Sequence, residues 1–127
     1  MMLMVGGMSQ GKLPYALEMT GLSENDVARD FAAAKEKPIF YGLHTAVRRA
    51  MEAGQDPVEL MHEVMDANPD VLVICDEIGC GVVPIDPFER EWRDQVGRIC
   101  CEIAKIAIRV ERIVCGLPQR LKGDAWS

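Results

Sequence analysis

Four short apolar runs set the limits on what this chain can fold into: LMVG at residues 3–6, PIFYGL at 38–43, VLVICD at 71–76 and ERIVCGL at 111–117. The first three are apolar almost without interruption. A strand with one wet face alternates polar and apolar residues, whereas a strand covered by helices on both faces need not. The runs therefore predict an α/β domain with a mainly parallel sheet of about four strands.

Helical patterns fill the intervals. Ser23 with Asp26 three residues on has the form of a capping box and predicts a helix through ENDVARDFAAAKEK, closed by Pro38. TAVRRAMEAG is a second helix ending at Gly54; Asp56-Pro57 with Glu59 opens a third, which stops before Asn68-Pro69. Asp86-Pro87 with Glu89 repeats that start signal. From it Phe88, Trp92, Val96, Ile99, Ile103 and Ile106 recur every three or four residues, the pattern of the longest helix. The resulting order, β-α-β-αα-β-α-β, predicts one layered domain over residues 1–127 with right-handed crossovers. Ligands of such sheets bind at the carboxyl ends of the strands.

Fourteen basic against twenty acidic residues give a net charge of -6. That balance argues against nucleic acid or an anionic membrane surface as the main partner and leaves room for a local basic pocket. No apolar run approaches the roughly 20 residues that span a bilayer. MMLMVGG also lacks the basic leader of a secretion signal, so a cytoplasmic location is expected. The five cysteines, Cys75, Cys80, Cys100, Cys101 and Cys115, form no CxxC pair and fall in apolar segments, which predicts buried, reduced thiols. A metal cluster of Cys75, Cys80 and Cys115 is the alternative.

Two segments fall at the ligand edge. GGMSQGKL, behind the first run, has P-loop spacing: Gly6, four residues, Gly11, Lys12. Glycines suit a loop whose N–H groups turn inward around an anion, and Lys12 would reach the phosphates as a point charge. Leu13 stands where a Ser or Thr would offer its hydroxyl to magnesium. A tight strand-to-helix turn with a surface lysine is the plainer reading of this stretch. The second segment follows the third run, where VLVICDE carries Asp76 and Glu77, suited to hold a magnesium ion and orient a nucleophile; turn capping is the plainer role for them. His44 follows the second run and is expected to be satisfied by a backbone partner. His62 is expected on a solvated helix face, and Met51, Met61 and Met65, at helical spacing, are expected in the core.

The stretch from residue 76 to 122, with CDEIGCGVVP, WRDQVGR and CGLPQRLK, resembles the carboxyl-terminal part of the bifunctional adenosylcobinamide kinase/adenosylcobinamide-phosphate guanylyltransferase family. GGMSQGKL is similar to that family's P-loop. The resemblance implies a three-layer, RecA-like P-loop fold, a role late in cobalamin assembly and a homo-oligomer, a trimer. It places Gly6, Gly7, Ser9, Gly11 and Lys12 on the phosphate loop, with Gln10 and Leu13 between and beside them, and Glu77 on the family's glutamate. Asp76 replaces an asparagine. The expected ligands are ATP or GTP, Mg2+ at Asp76, and adenosylcobinamide as acceptor.

Three departures accompany the resemblance. Leu13 lacks the hydroxyl, Tyr41 stands where the second strand carries an acid, and the segment bearing the guanylylated histidine has no counterpart between the first helix and the second strand. Lys12, Asp76 and Glu77 are accordingly expected to serve phosphoryl transfer rather than guanylyl transfer. The alternative is a noncatalytic nucleotide- or corrinoid-binding subunit with a regulatory or assembly role.

Overall fold

The computed structural model describes residues 1–78, 86–124 and 126. Six strands among them, β1 (Met2–Gly6), β2 (Val27–Ala28), β3 (Ile39–Tyr41), β4 (Leu72–Asp76), β5 (Arg109–Val114) and β6 (Leu117–Lys122), form one sheet. Their order is β2-β3-β4-β1-β5-β6. All neighbours pair in parallel except the last two, which are antiparallel.

The strands sit between two helical layers, and the period-2 alternation of side chains feeds both. Leu3, Phe40, Val73, Cys75 and Val110 pack on one face with residues of α2 (Phe31–Ala34), α3 (Leu43–Glu52), α4 (Pro57–Ala67) and α5 (Pro87–Ile106). Met4, Val27, Ile39, Leu72, Ile74 and Ile113 pack on the other with α1 (Lys12–Thr20). The molecule is therefore the three-layer α/β fold expected, with a single helix on one side among the described residues. Met61 is buried, and Met51 and Met65 pack against the same core.

The sheet has two strands more than the sequence predicts. Ser23 and Asp26 do form a capping box, but it heads only a 3-10 turn over Glu24–Asp26. A capping box satisfies the N–H groups of one turn whether or not the helix continues. Here Val27 and Ala28 instead pair with Ile39 and Phe40, which buries both. Helix begins only at Phe31, where Asp30 Oδ1 accepts from Ala33 N at 2.7 Å. The second addition is β6. Cys115 and Gly116 both adopt positive φ, 52° and 76°, the signature of a tight hairpin turn, and fold the tail back on β5. Pro118 fits because β6 is an edge strand.

Helix α3 opens at Leu43, two residues ahead of the expected TAVRRAMEAG and inside the run expected as strand, because Gly42 turns the chain out of β3, whereas α4 and α5 start where expected. Asp56 and Asp86 cap α4 and α5 by accepting from Val58 N and Phe88 N, each with a proline in the first turn. Cys75 is buried and Cys100 half-buried, whereas Cys101 and Cys115 are exposed, so the expectation of buried thiols fails for those two. Cys115 is exposed because it turns the hairpin. Cys80 lies outside the described residues, and no group of three metal-ligating side chains occurs among the described ones. No helix among them is long and apolar enough to cross a membrane.

Candidate phosphate-binding site

Strands β1 and β4 are neighbours, with Gly6 in register with Asp76. The glycine loop and the acid pair thus leave the same edge of the sheet side by side. Glu77 N donates to Gly6 O at 2.7 Å, which ties the two exits together.

The loop glycines do different work. A Cβ on Gly6 would stand 2.5 Å from Ile113 O, so its lack of a side chain is what lets β5 lie against β1. Gly11 is left-handed, with φ 83°, and caps α1 without a side-chain hydrogen bond. Ser9 is also left-handed, at φ 60°. Gln10 holds the loop to the β5–β6 turn: its Oε1 accepts from Cys115 N and its main-chain O from Gly116 N, both at 2.7 Å. This buttress is not apparent from the P-loop spacing, because it depends on the tail folding back.

Lys12 opens α1 and is only 4% exposed. Its ammonium donates to Gly7 O at 2.7 Å and pairs with Asp76 Oδ1, also at 2.7 Å. A charge this deep is tolerated only when paired and hydrogen-bonded. The surface-lysine reading of the loop therefore fails: Lys12 is turned inward, across the loop, toward the carboxylate of the next strand.

His44, in the first turn of α3, completes the cluster. Asp76 N donates to its Nδ1 at 3.2 Å, and its Nε2 lies 3.4 Å from Asp76 Oδ2. The backbone partner is as expected, and the second contact to the same residue is new. A nitrogen that accepts an N–H cannot also bear a proton, so the neutral ring carries its hydrogen on Nε2, toward Asp76. Burial lowers the His44 pKa below its usual value, opposed by Asp76 and assisted by Lys12. Trp92 Nε1 of α5 donates to His44 O at 2.8 Å and fixes that turn. His62, by contrast, is exposed as expected and pairs with Glu102.

Glu77 does not join this cluster. It receives Arg112 of β5 in a bidentate pair, Nε to Oε1 at 2.6 Å and Nη2 to Oε2 at 3.2 Å. Leu13 packs against the apolar layer under α1, as does Tyr41 at the end of β3, so neither offers an oxygen ligand of the expected kind. Beside the acid pair lies a hollow of about 260 Å³, lined by Val5, Asp76, Glu77, Ile78, Arg93, Val96, Gly97 and Cys100. Arg93 and Arg112 were not anticipated; the visible trace of Arg112 is a basic residue on the α5-facing register of a strand.

The family described as cobinamide kinase / cobinamide phosphate guanyltransferase matches this chain over residues 31–121. The chain belongs to this family. The matched range contains His44, Asp76, Glu77, Arg112 and the hairpin turn, while the glycine loop lies before it. The bifunctional adenosylcobalamin biosynthesis protein CobP of Pseudomonas aeruginosa is 37% identical over 54 residues, 42% of this chain and 31% of that protein. The match thus spans under a third of the length of that curated relative. Within the cobinamide kinase / guanyltransferase family, the α/β architecture and the side-by-side exits of β1 and β4 are those of a P-loop fold.

Proposed function

We propose that this protein binds the phosphates of ATP or GTP in the loop Gly6–Lys12 and transfers a phosphoryl group to a hydroxyl of a cobinamide-type acceptor. One observation supports this reading above the others: the buried Lys12 ammonium, held between Gly7 O and Asp76 Oδ1 at 2.7 Å each. A glycine loop, an inward lysine and a strand-end carboxylate converge on one spot. An arriving triphosphate exchanges its own oxygens for those two on Lys12, while the N–H groups of the loop and the first turn of α1 face the anion.

Asp76 is the residue that would hold a magnesium ion carried in by the nucleotide. Magnesium keeps several waters and needs only one or two carboxylates beside the phosphates, so a single aspartate fits it even without a hydroxyl at Leu13. When bound, such an ion neutralises charge on the phosphate oxygens. The chain's own groups do the rest: Lys12 draws the transferring phosphate, His44 orients Asp76, and the hollow beside Asp76 and Glu77 receives the arm that bears the acceptor hydroxyl.

Guanylyl transfer through a histidine needs an unprotonated, free ring nitrogen. Both nitrogens of His44 are directed to Asp76, one as acceptor and one as donor. This arrangement favours phosphoryl transfer and makes His44 a positioning residue. Incubation with radiolabelled GTP should leave no acid-labile label on the protein; label at His44 would overturn that assignment.

A second reading, nucleotide binding without turnover, is supported by the packing of Leu13 and Tyr41 into the apolar layer. The two readings share a first test. Millimolar ATP or GTP should raise the melting temperature, because a ligand that binds only the folded state at 100 times its Kd stabilises by about 2.7 kcal/mol. Absence of any shift sinks both. Turnover of adenosylcobinamide that is lost in Lys12→Arg then separates catalysis from binding, and Asp76→Asn should weaken the magnesium dependence of nucleotide affinity. Self-association belongs to the same proposal and is supported by the exposed Ile106, Ile108, Leu117 and Leu121.

A further inference from the structure

Among the described residues, Lys12 and Glu111 are the buried charged side chains, and Glu111 has no part in the phosphate chemistry. It shares with Ile113 the face of β5 that α1 covers. At 4% exposure it lies as deep as Lys12, but its partners are neutral. Trp126 Nε1 donates to its Oε1 at 2.7 Å, and the Tyr15 hydroxyl donates to the same carboxylate, 3.3 Å from Oε1 and 3.2 Å from Oε2. No ion pair joins Glu111 to a cation among the described residues. The Arg109 guanidinium lies over the Trp126 ring, 4.0 Å from its centroid, and donates to Asp124 O. Arg120 stands opposite Glu111 in the β5–β6 register and is exposed. Two protons thus serve a carboxylate with about four lone-pair sites, and its charge has no counterion in contact. A buried charge left unneutralised is costly, and an arriving cation recovers that cost. The way in is a hollow of about 460 Å³, lined by Tyr15, Met19, Glu111, Pro118, Arg120 and Trp126.

We propose that this hollow binds a free α-amino acid with an apolar side chain, its ammonium on Glu111 and its carboxylate at Arg120. The two opposed charges of the lining select a zwitterion. A simple amine leaves Arg120 unmatched, and a simple carboxylic acid sets its charge against that of Glu111. An ammonium brings three N–H donors to the open lone pairs of Glu111, and charge-assisted bonds of this kind are roughly twice as strong as neutral ones. Met19, Pro118 and the two aromatic rings supply the apolar wall against which the side chain packs, while the charged pair fixes its orientation. Tyr15 follows Lys12 by three residues on α1, yet its hydroxyl reaches Glu111 rather than the phosphate loop, so the two sites are separate.

The test is calorimetric titration of the full chain, without nucleotide, with millimolar L-phenylalanine, L-leucine and L-methionine. At least one should bind. Its N-acetyl derivative keeps the carboxylate but has no ammonium, and its primary amide keeps the ammonium but has no carboxylate. Each should bind about tenfold more weakly or worse, since each leaves one charge of the lining unpaired. Glu111→Gln should lower the affinity for the amino acid by a similar factor, with circular dichroism to verify its fold. Should that variant not fold, Arg120→Gln decides from the exposed side: it should weaken binding of the amino acid and leave binding of the amide unchanged. Failure of all three amino acids to bind overturns the proposal. Binding of the acetyl derivative or the amide as tight as that of the amino acid does so equally, as does an unchanged affinity in either folded variant. None of these readouts involves nucleotide, so they stand or fall apart from the phosphate site.

Discussion

Asp76 and Glu77 are neighbours in the chain, the last residue of β4 and the first beyond it, yet they sit in different electrostatic settings. Asp76 meets Lys12, whose side chain is 3% exposed, and is itself braced by His44. Glu77 meets Arg112, whose side chain is 45% exposed. Both are close carboxylate–cation pairs, and the Glu77 pair even has the better bidentate geometry. The difference lies in the water around the cation. Water reaches the Arg112 guanidinium freely, whereas it barely reaches the Lys12 ammonium, although the two carboxylates are similarly exposed. On the function proposed above, the buried cation is the one whose exchange of partners would be worth free energy to an incoming anion.

Lys12→Ala should have the largest effect. Breaking a buried pair leaves an uncompensated charge and typically costs 3–5 kcal/mol; with Asp76 still touching water, about 3 kcal/mol is expected from urea unfolding. The nucleotide-induced rise in melting temperature should vanish with it. Gly6→Ala comes next. Its Cβ would collide with Ile113 O at 2.5 Å, a backbone atom that cannot step aside, so β1 and β5 must separate at a cost of about 2 kcal/mol. Gly7→Ala is the control, because its Cβ would meet only the flexible Gln10 Cγ at 3.5 Å, and its stability should stay within about 0.5 kcal/mol of the parent.

Arg112→Gln sharpens the comparison from the exposed side. The loss should be no more than about 1 kcal/mol and should shrink further in high salt, since exposed pairs are screened. Equal losses for Lys12→Ala and Arg112→Gln in the same urea series would break the contrast between the two carboxylates.

How much of this was legible beforehand follows from the range of the interactions. The strand cores, the proline-led starts of α4 and α5, and the placement of Lys12 beside Asp76 are written in local pattern and in the rule that parallel strands present their ligands at one edge. The capping box at Ser23 was legible too, but its helix was not: whether a capped turn continues depends on Val27 and Ala28 finding Ile39 and Phe40, a contact across the sheet. The hairpin turn at Cys115-Gly116 hid inside an apolar run, and with it the latch from Gln10. Arg112, Trp92 and the two contacts of His44 to Asp76 are likewise products of tertiary approach, with no spacing in the chain that announces them. Tyr41 and Leu13 show the reverse case, in which their identities alone foretold that no hydroxyl or acid would face the site.

The smallest expected effect comes from a third carboxylate, Glu89, and asks whether exposure alone ranks these pairs. Glu89 of α5 is hydrogen-bonded by Arg48 of α3, whose guanidinium also lies over the rings of Phe88 and Trp92, 5.2 Å and 5.0 Å from their centroids. The hydrogen bond from Arg48 holds the Glu89 pKa below its ordinary value of 4.5, against a smaller opposing effect of burial. As pH falls below 4.5, the unfolded chain takes up this proton before the folded one does, so the stabilisation present above that value is lost as pH drops through the folded pKa. Glu89→Gln should therefore flatten the acid limb of the stability curve below pH 4.5 and leave neutral-pH nucleotide binding intact. An unchanged acid limb would place Glu89 with the solvent-screened pairs, beside Glu77. A loss of nucleotide binding would instead show that the Arg48 clasp, through Trp92 and His44 O, holds Asp76 in place.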